Sequence, residues 1–440
     1  MIYVVLLNWV DVTRGPMGIR GIPPISLFGW QADTLLSRYL AVAVIAVACV
    51  WVLHRLTHSY YGNALRALRE DDQCADSMGI NVERLKIESF VVATFFAGIA
   101  GALLAHTSAY IAPDNFRFME SILILAMVVV RRAGQPSRRG RRRPVHDRPA
   151  GSAARHRRLP HDRRRGDHVP VHPAAAQGHA GRRHRAGLRP PLLLPRLGHH
   201  RRRHARRLEV RRIMSNTLLS IQGLTRRFGG LLAVSDVSAT IAKGELVGLI
   251  GPNGAGKTTL FNLITGFTPP SDGTVTFDGQ DVTGRKPWQI ARMGMGRTFQ
   301  NLRVFPNMTV FDNVSVGAVG AFGQSPWRAL VNGGAHSRAV SERSWEALER
   351  VGLTAQAGDI AANLSYGKRK YLEIARALAT SPRLLILDEP AAGLNDTETA
   401  ELADFIRRLH AGGVTVLLVE HDMTAGDGKL QPRHRACLGP

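Results

Sequence analysis

Nine consecutive residues, Gly251 to Thr259, read GPNGAGKTT and satisfy the spacing G-x-x-x-x-G-K-[ST] in full. An apolar run, ELVGLI, precedes them and a helix-like run, LFNLITG, follows, which is the context this motif requires. The glycines let backbone N–H groups turn inward around phosphate oxygens. Lys257 supplies positive charge at β and γ phosphates, and Thr258 offers a hydroxyl to Mg2+. A second chemical pair closes the run LLILDEP, Leu384 to Pro390. Asp388 is placed to hold Mg2+, directly or through water, and Glu389 to polarise an attacking water as general base. Many strands end in acidic turns. This one lies 131 residues after Lys257 and behind a helical stretch, which makes the pair far more specific.

These residues need a scaffold, and the surrounding sequence supplies one. ELVGLIG and LLILDEP have the length and composition of buried strands, and RKYLEIARALAT has helical spacing. Residues 214–423 are therefore expected to form an alternating α/β domain. Residues 1–130 differ: they are apolar, with helix-length runs at Tyr39–Leu53 and Phe90–Ala112. A bilayer crossing takes about 20 apolar residues; the second run meets that and the first is marginal, the competing possibility being buried helices of a soluble protein. Ala97, Gly98, Gly101 and Ala102 recur about one turn apart, as close-packed membrane helices need. Arg55, Arg66, Arg69, Arg84 and Lys86 crowd the connection between the runs, which places residues 54–87 on the cytoplasmic side. A third run, Ile122–Val130, is too short to cross.

The 440 residues carry a formal charge of +24, which would ordinarily point to nucleic acid. Between Arg131 and Arg212, however, stand 26 arginines against Asp147, Asp162, Asp167 and Glu209, so this one stretch holds nearly all of the excess. The three cysteines, Cys49, Cys74 and Cys437, form neither a metal spacing nor a disulfide framework.

Further motifs follow in a fixed order, and together they resemble ATP-binding cassette (ABC) transporters. LSYGKRK, Leu364 to Lys370, is similar to the signature motif of that family. The resemblance implies that Gln300 in RTFQN is the glutamine that reaches Mg2+ and senses the membrane subunit. AAGLND, Ala391 to Asp396, corresponds to the D-loop. His421 in LLVEHDM would contact the γ-phosphate, and Phe228 in RRFGG would stack on adenine. The nucleotide-binding set is then Phe228, Gly251, Asn253, Gly254, Gly256, Lys257, Thr258 and Thr259. Glu389, His421 and Gln300 would be catalytic, and Thr258, Gln300 and Asp388 would hold Mg2+. Two such domains pair head to tail, so Ser365 and Gly367 would complete the ATP site of a second copy. Lys368 stands where the family has glutamine or another neutral residue. Within the family, RRFGGLLAVSDVS and RTFQNLRVFPNMTVFDNV resemble the ATPase subunits of branched-chain amino-acid importers. YGNALRALREDDQCADSMGINVERLK and YIAPDNFRFMESILILAMVVV resemble their membrane subunit, with Ala75 and Gly79 at the spacing of a coupling loop. A partner permease, a soluble amino-acid-binding protein, and an inner-membrane location with the ATPase facing the cytoplasm are implied. Nucleic acid is not an expected partner.

The arginine stretch has two explanations. A basic arm would bind phosphates. Yet residues 131–210 contain no Lys, Ile, Phe, Tyr, Trp, Thr or Asn, an alphabet that GC-rich codons give when read out of frame. RRAGQPSRRG can be encoded so that the next frame reads GGLGSLPGA, similar to the glycine-rich turn expected in the permease, and AGDGKLQPRHRACLG so that it reads LVMGNCSHVIVLAWG. The organisation expected is thus an α-helical transmembrane permease-like fragment (1–130), a disordered, out-of-frame Arg-rich segment (131–213), an α/β P-loop NTPase of the ABC type (214–423) truncated at its C-terminal side, and an out-of-frame tail (424–440). The truncation is expected to leave a sheet edge uncovered. The functional expectation is ATP-driven import of branched-chain amino acids. The alternatives are a remnant retaining at most ATP binding, and a cassette with a non-transport role, against which residues 1–130 argue.

Overall fold

The computed structural model describes residues 2–27, 30–116, 118–133, 216–323, 325–331, 333–420 and 435–437. The expectations for most of the arginine stretch, and for His421, lie outside the described residues. Residues 2–133 and those from 217 onward fall in one compact unit; of a second unit, Ala150–Asn216, only Asn216 is described.

The N-terminal part opens with short helices α1 (Ile2–Asn8) and α2 (Val10–Thr13). Small antiparallel pairings follow, β1 (Ile19–Arg20) with β4 (Tyr110–Ile111) and β2 (Ser26–Leu27) with β3 (Trp30–Gln31). Two helices dominate it. α3 (Leu35–Thr57) has 23 residues and α6 (Val82–Ser108) has 27, hence lengths of about 34 and 40 Å against a hydrocarbon core of about 30 Å. Both exceed the apolar runs that announce them, because polar caps set their starts. Thr34 and Ser37 form a capping box before α3, and Asn81 accepts the Arg84 N–H at 2.9 Å before α6. α6 stops short of Ala112 because Ala109 turns into the left-handed region at φ 53°. Large apolar side chains such as Leu36, Val47, Phe90 and Phe95 stay exposed along both helices. By length and composition these two helices suit a membrane. The small-residue face of α6 meets no described partner: a Cβ on Gly98 or Gly101 would touch nothing. α7 (Phe118–Ala133) runs to 16 residues, still short of a crossing, and continues into the first arginines.

Between α3 and α6 the chain is helical, as α4 (Tyr60–Glu70) and α5 (Asp72–Ser77), divided by the cap residue Asp71.

The C-terminal part has two sheets. An antiparallel one orders as β6-β5-β8-β9, from β5 (Thr217–Phe228), β6 (Leu231–Ala242), β8 (Asp272–Phe277) and β9 (Gln280–Asp281). A parallel one orders as β10-β11-β12-β7-β13, from β7 (Leu246–Ile250), β10 (Met295–Arg297), β11 (Leu384–Asp388), β12 (Thr415–Glu420) and β13 (Arg435–Cys437). β11 is buried throughout, as its unbroken apolar run requires. The edge beside β7 is not bare, contrary to expectation: β13 pairs there in parallel, with Ala436 opposite Leu249. The helices are α8 (Lys257–Ile264), α9 (Pro287–Arg292), α10 (Val310–Phe322), α11 (Pro326–Val331), α12 (Gly333–Arg350), α13 (Tyr366–Ala379) and α14 (Asp396–Ala411).

The N-terminal connection docks on this domain. One apolar cluster runs from Tyr61, Ala64, Ala67, Met78 and Ile80 into Phe311, Val314 and Val319 of α10. Fully burying a side chain such as Met78 or Ile80 contributes about 1.5–3 kcal/mol. Polar ties flank the cluster. Asn63 Nδ2 donates to Asp312 Oδ1 and to Ser315 Oγ, each at 2.9 Å. Arg292 Nε donates to the Gly79 carbonyl at 2.8 Å, and Lys286 pairs with Glu83. Gly79 is held at φ 87°, and a Cβ on Gly320 would overlap the Met78 carbonyl. The connection between the apolar runs thus meets the α/β domain, with Ala75 in the shared cluster and Gly79 against Gly320.

Candidate functional site

The parallel register brings β7, β11 and β12 to a common end: Asp388 lies opposite Val419, and Glu420 opposite Ile250. The loops that leave these ends carry the chemistry, at the carboxyl edge where α/β sheets bind ligands.

The loop after β7 enters α8 at Gly256. This residue has φ 79°, and a Cβ on it would overlap the Ala233 carbonyl of β6, so only glycine fits on two counts. Gly254 is also left-handed, at φ 83°. The Lys257 side chain is buried and turns back over the loop, donating from Nζ to the Gly251 carbonyl and to the Pro252 carbonyl at 2.9 Å. No side chain caps α8, and its first turn contains no acidic residue. The positive end of the helix dipole at this loop therefore favours an anion. Asn253 and Thr258 are exposed and Thr259 is half-buried at this rim. The donor set fits a triphosphate, with the Thr258 hydroxyl as an oxygen donor for its Mg2+.

Asp388 ends β11 with its side chain 3% exposed. Arg297 Nη2 approaches it at 3.5 Å, and its own N–H donates to Thr298 Oγ1 at 3.3 Å. Arg297 also reaches Asn262 Oδ1 on α8 at 2.8 Å and Thr265 Oγ1 at the helix's C-cap at 2.9 Å. One buried guanidinium thus ties the helix of the phosphate loop to the acidic strand end. Burial lowers its pKa, and the Asp388 charge works against that. Glu389 follows in the left-handed region at φ 47°, a strained setting for a residue with a Cβ. Its N–H donates to the Val419 carbonyl at 3.2 Å, and its Oε2 accepts from Gln300 Nε2 at 3.0 Å. Gln300, Asp388 and Glu389 are therefore brought together.

Two residues near these acids lie within the sequence motifs but carry no role there. Arg297 is one; RTFQN contains it, but only the β10–β11 pairing, Arg297 opposite Ile386, aims it at Asp388. Glu420 is the other. Burial first, and then the Glu389 charge, push its carboxyl up to about 7, with Lys370 opposing.

Ser365 is the N-cap of α13, its Oγ accepting the Lys368 N–H at 3.4 Å. The bond is made by the backbone, so the Lys368 side chain stays exposed. Gly367 is buried; a Cβ there would come within 2.7 Å of Glu398 Oε1. Tyr366 donates its hydroxyl to the Ala392 carbonyl at 3.3 Å, joining this turn to Ala391–Asp396. Among the described residues no hydrogen bond joins Ser365 or Gly367 to the phosphate loop. Phe228, at the tip of the β5–β6 hairpin, is 45% exposed under the Arg226 guanidinium, 4.6 Å from the ring centroid.

A phosphate loop, a strand-end acid pair and a capped signature turn on this sheet define an ATPase of the P-loop class. Two family descriptions match the chain: ABC transporter over residues 234–392, and branched-chain amino acid transport system/permease component over residues 1–138. The high-affinity branched-chain amino acid transport ATP-binding protein LivG of Salmonella typhimurium is 49% identical over 214 residues, 48% of this chain and 84% of that protein. BraF of Pseudomonas aeruginosa, with the same description, is 46% identical over 214 residues, with the same shares. A solved ATP-binding cassette of an ABC transporter is 33% identical, covering 48% of this chain and 83% of that one, with a TM-score of 0.42. The chain belongs to the ABC transporter family, joining an ATP-binding domain to a permease-like, membrane-associated segment.

Proposed function

We propose that this chain is the ATP-hydrolysing component of an importer for branched-chain or similar hydrophobic amino acids, with ATP and Mg2+ at the β7–β11–β12 end. The observation that carries this is the seating of the permease-like α4–α5 on α10, next to the segment that bears Gln300. The names of the relatives support the substrate class.

In this reading the N–H groups of Gly254, Gly256 and the first turn of α8 hold the phosphates, and Lys257 neutralises charge as the terminal phosphate leaves. Mg2+, when bound, would draw charge from the phosphate oxygens, and Thr258, Gln300 and Asp388 are the residues that would hold it. Glu389 accepts a proton from the attacking water, and Gln300 orients that carboxylate. Phe228 presents an aromatic face to the base. A second copy meets this one head to tail through Ser365 and Gly367. His421 is assigned the γ-phosphate by resemblance alone. A permease, a soluble amino-acid-binding protein, and the inner membrane with the ATPase on its cytoplasmic side complete the assignment. Residues 1–130, 131–213, 214–423 and 424–440 remain the proposed divisions.

The purified full chain is expected to bind Mg-ATP and hydrolyse it, and Lys257→Ala to abolish both. The arginine stretch favours a second reading, a remnant that binds ATP without driving transport. Translation of the DNA in the next frame after Val130 separates the two: restored apolar helices ending near Met214 support the remnant.

A further inference from the structure

The segment carrying Gln300 is held at both ends by one helix. Glu373, buried in the middle of α13, accepts the Phe299 N–H at 3.0 Å and also the Arg303 N–H. One turn later, Arg376 is fully buried and donates from Nη2 to the Arg303 carbonyl. The guanidinium lies 4.9 Å from the Phe305 ring centroid, while its Nε and Nη1 have no hydrogen-bond partner among the described residues. Burial pushes the Glu373 carboxyl up to about 7, with Arg376 the first of the influences that oppose this. α13 begins at the signature residue Ser365. On the outer side, the Arg303 guanidinium reaches Asp71 and Gln73 of the permease-like part, and Cys74 Sγ faces the same Arg303 carbonyl at 3.6 Å.

We propose that Glu373 and Arg376 are positioning residues for hydrolysis: they clamp residues 299–303 from below, so that the Gln300 amide stays on Glu389, while Asp71 completes the clamp from the permease side. This rests on the ATPase reading above. It links three places by bonded steps: the signature helix, the glutamine that touches the general base, and the docked α4–α5.

The test uses the full chain. Glu373→Ala and Arg376→Ala are expected to lower kcat by about 10-fold or more, since small misplacements near the chemistry are costly, with ATP affinity in the absence of Mg2+ unchanged. Glu373→Gln keeps an acceptor for the Phe299 N–H and is expected to recover most of kcat. Asp71→Asn, which removes only the outer tie, is expected to give a smaller loss. Hydrogen exchange over residues 297–305 is expected to quicken in Glu373→Ala and return in Glu373→Gln. An unchanged kcat, or parallel losses of kcat, affinity and melting temperature, would overturn the clamp. A parent chain with no ATPase activity overturns the catalytic reading. The exchange measurement then decides the clamp separately: quickened exchange upholds it, and unchanged exchange removes it too.

Discussion

Asp71 and Arg303, 232 positions apart in the chain, form an ion pair at 3.1 Å that joins the permease-like helices to the residues just after Gln300. Both side chains are about one-third exposed, so solvent weakens the pair. Its worth is expected to be about 1 kcal/mol or less. A double-mutant cycle of Asp71→Asn and Arg303→Gln in thermal unfolding should show that coupling, and strictly additive effects would remove the pair from the account.

Glu389 and Lys257 are expected to separate chemistry from binding. Glu389→Gln keeps the hydrogen bond to the Gln300 amide but loses the base. Mg-ATP binding should persist, while phosphate release falls about 10²–10⁴-fold. Phosphate release near the parental rate would mean that Glu389 is not the base.

The fold class, the loop between β7 and α8 and the acidic end of β11 were legible in sequence because their signals are local. Gly251–Thr259 and Leu384–Glu389 carry strand, turn and chemistry in a few adjacent residues, and Ser365 caps the helix that follows it. What stayed hidden depends on register and packing. Arg297 reaches Asp388 only because β10 lies beside β11. Glu420 sits half-buried near Glu389 only because β12 ends next to β11. The connection between the apolar runs announced its charge. Its split into two helices at Asp71, and the fit of Gly79 against Gly320, need the partner surface to be seen.

Arg297→Leu is expected to remove the buried guanidinium that pairs with Asp388. Both side chains are 4% exposed or less, and breaking such a pair from one side costs about 3–5 kcal/mol. Chemical denaturation of the variant should show that loss, and a change below about 1 kcal/mol would mean the pair is not held as described.

Asp76, on the docking face, gives the contact a pH dependence. Burial raises its carboxyl from 3.8 to about 6; Glu83 and Asp72 add to the shift, and Lys286 and the Trp288 N–H oppose it. The folded chain therefore keeps a proton that the unfolded chain has lost between about pH 4 and 6. Stability from this group is full below that window, falls as pH rises through it, and is flat above. The full slope for one proton is about 1.4 kcal/mol per pH unit, and the half-buried setting reduces it. Asp76→Asn should flatten that part of the stability profile; an unchanged profile would show that Asp76 ionises normally.

Gly320→Ala should undock the permease-like helices while leaving the nucleotide site intact. The added methyl would overlap the Met78 carbonyl, and neither backbone can yield without parting α5 from α10. Cys74 reports the event. It is fully buried, and burial pushes its thiol up to about 12, so it is inert while docked. Labelling with a thiol reagent, read at the peptide that contains Cys74, should be slow in the parent and at least about tenfold faster in Gly320→Ala. Mg-ATP binding should stay at the parental level. Slow labelling in both chains would mean that the helices do not depend on this close approach.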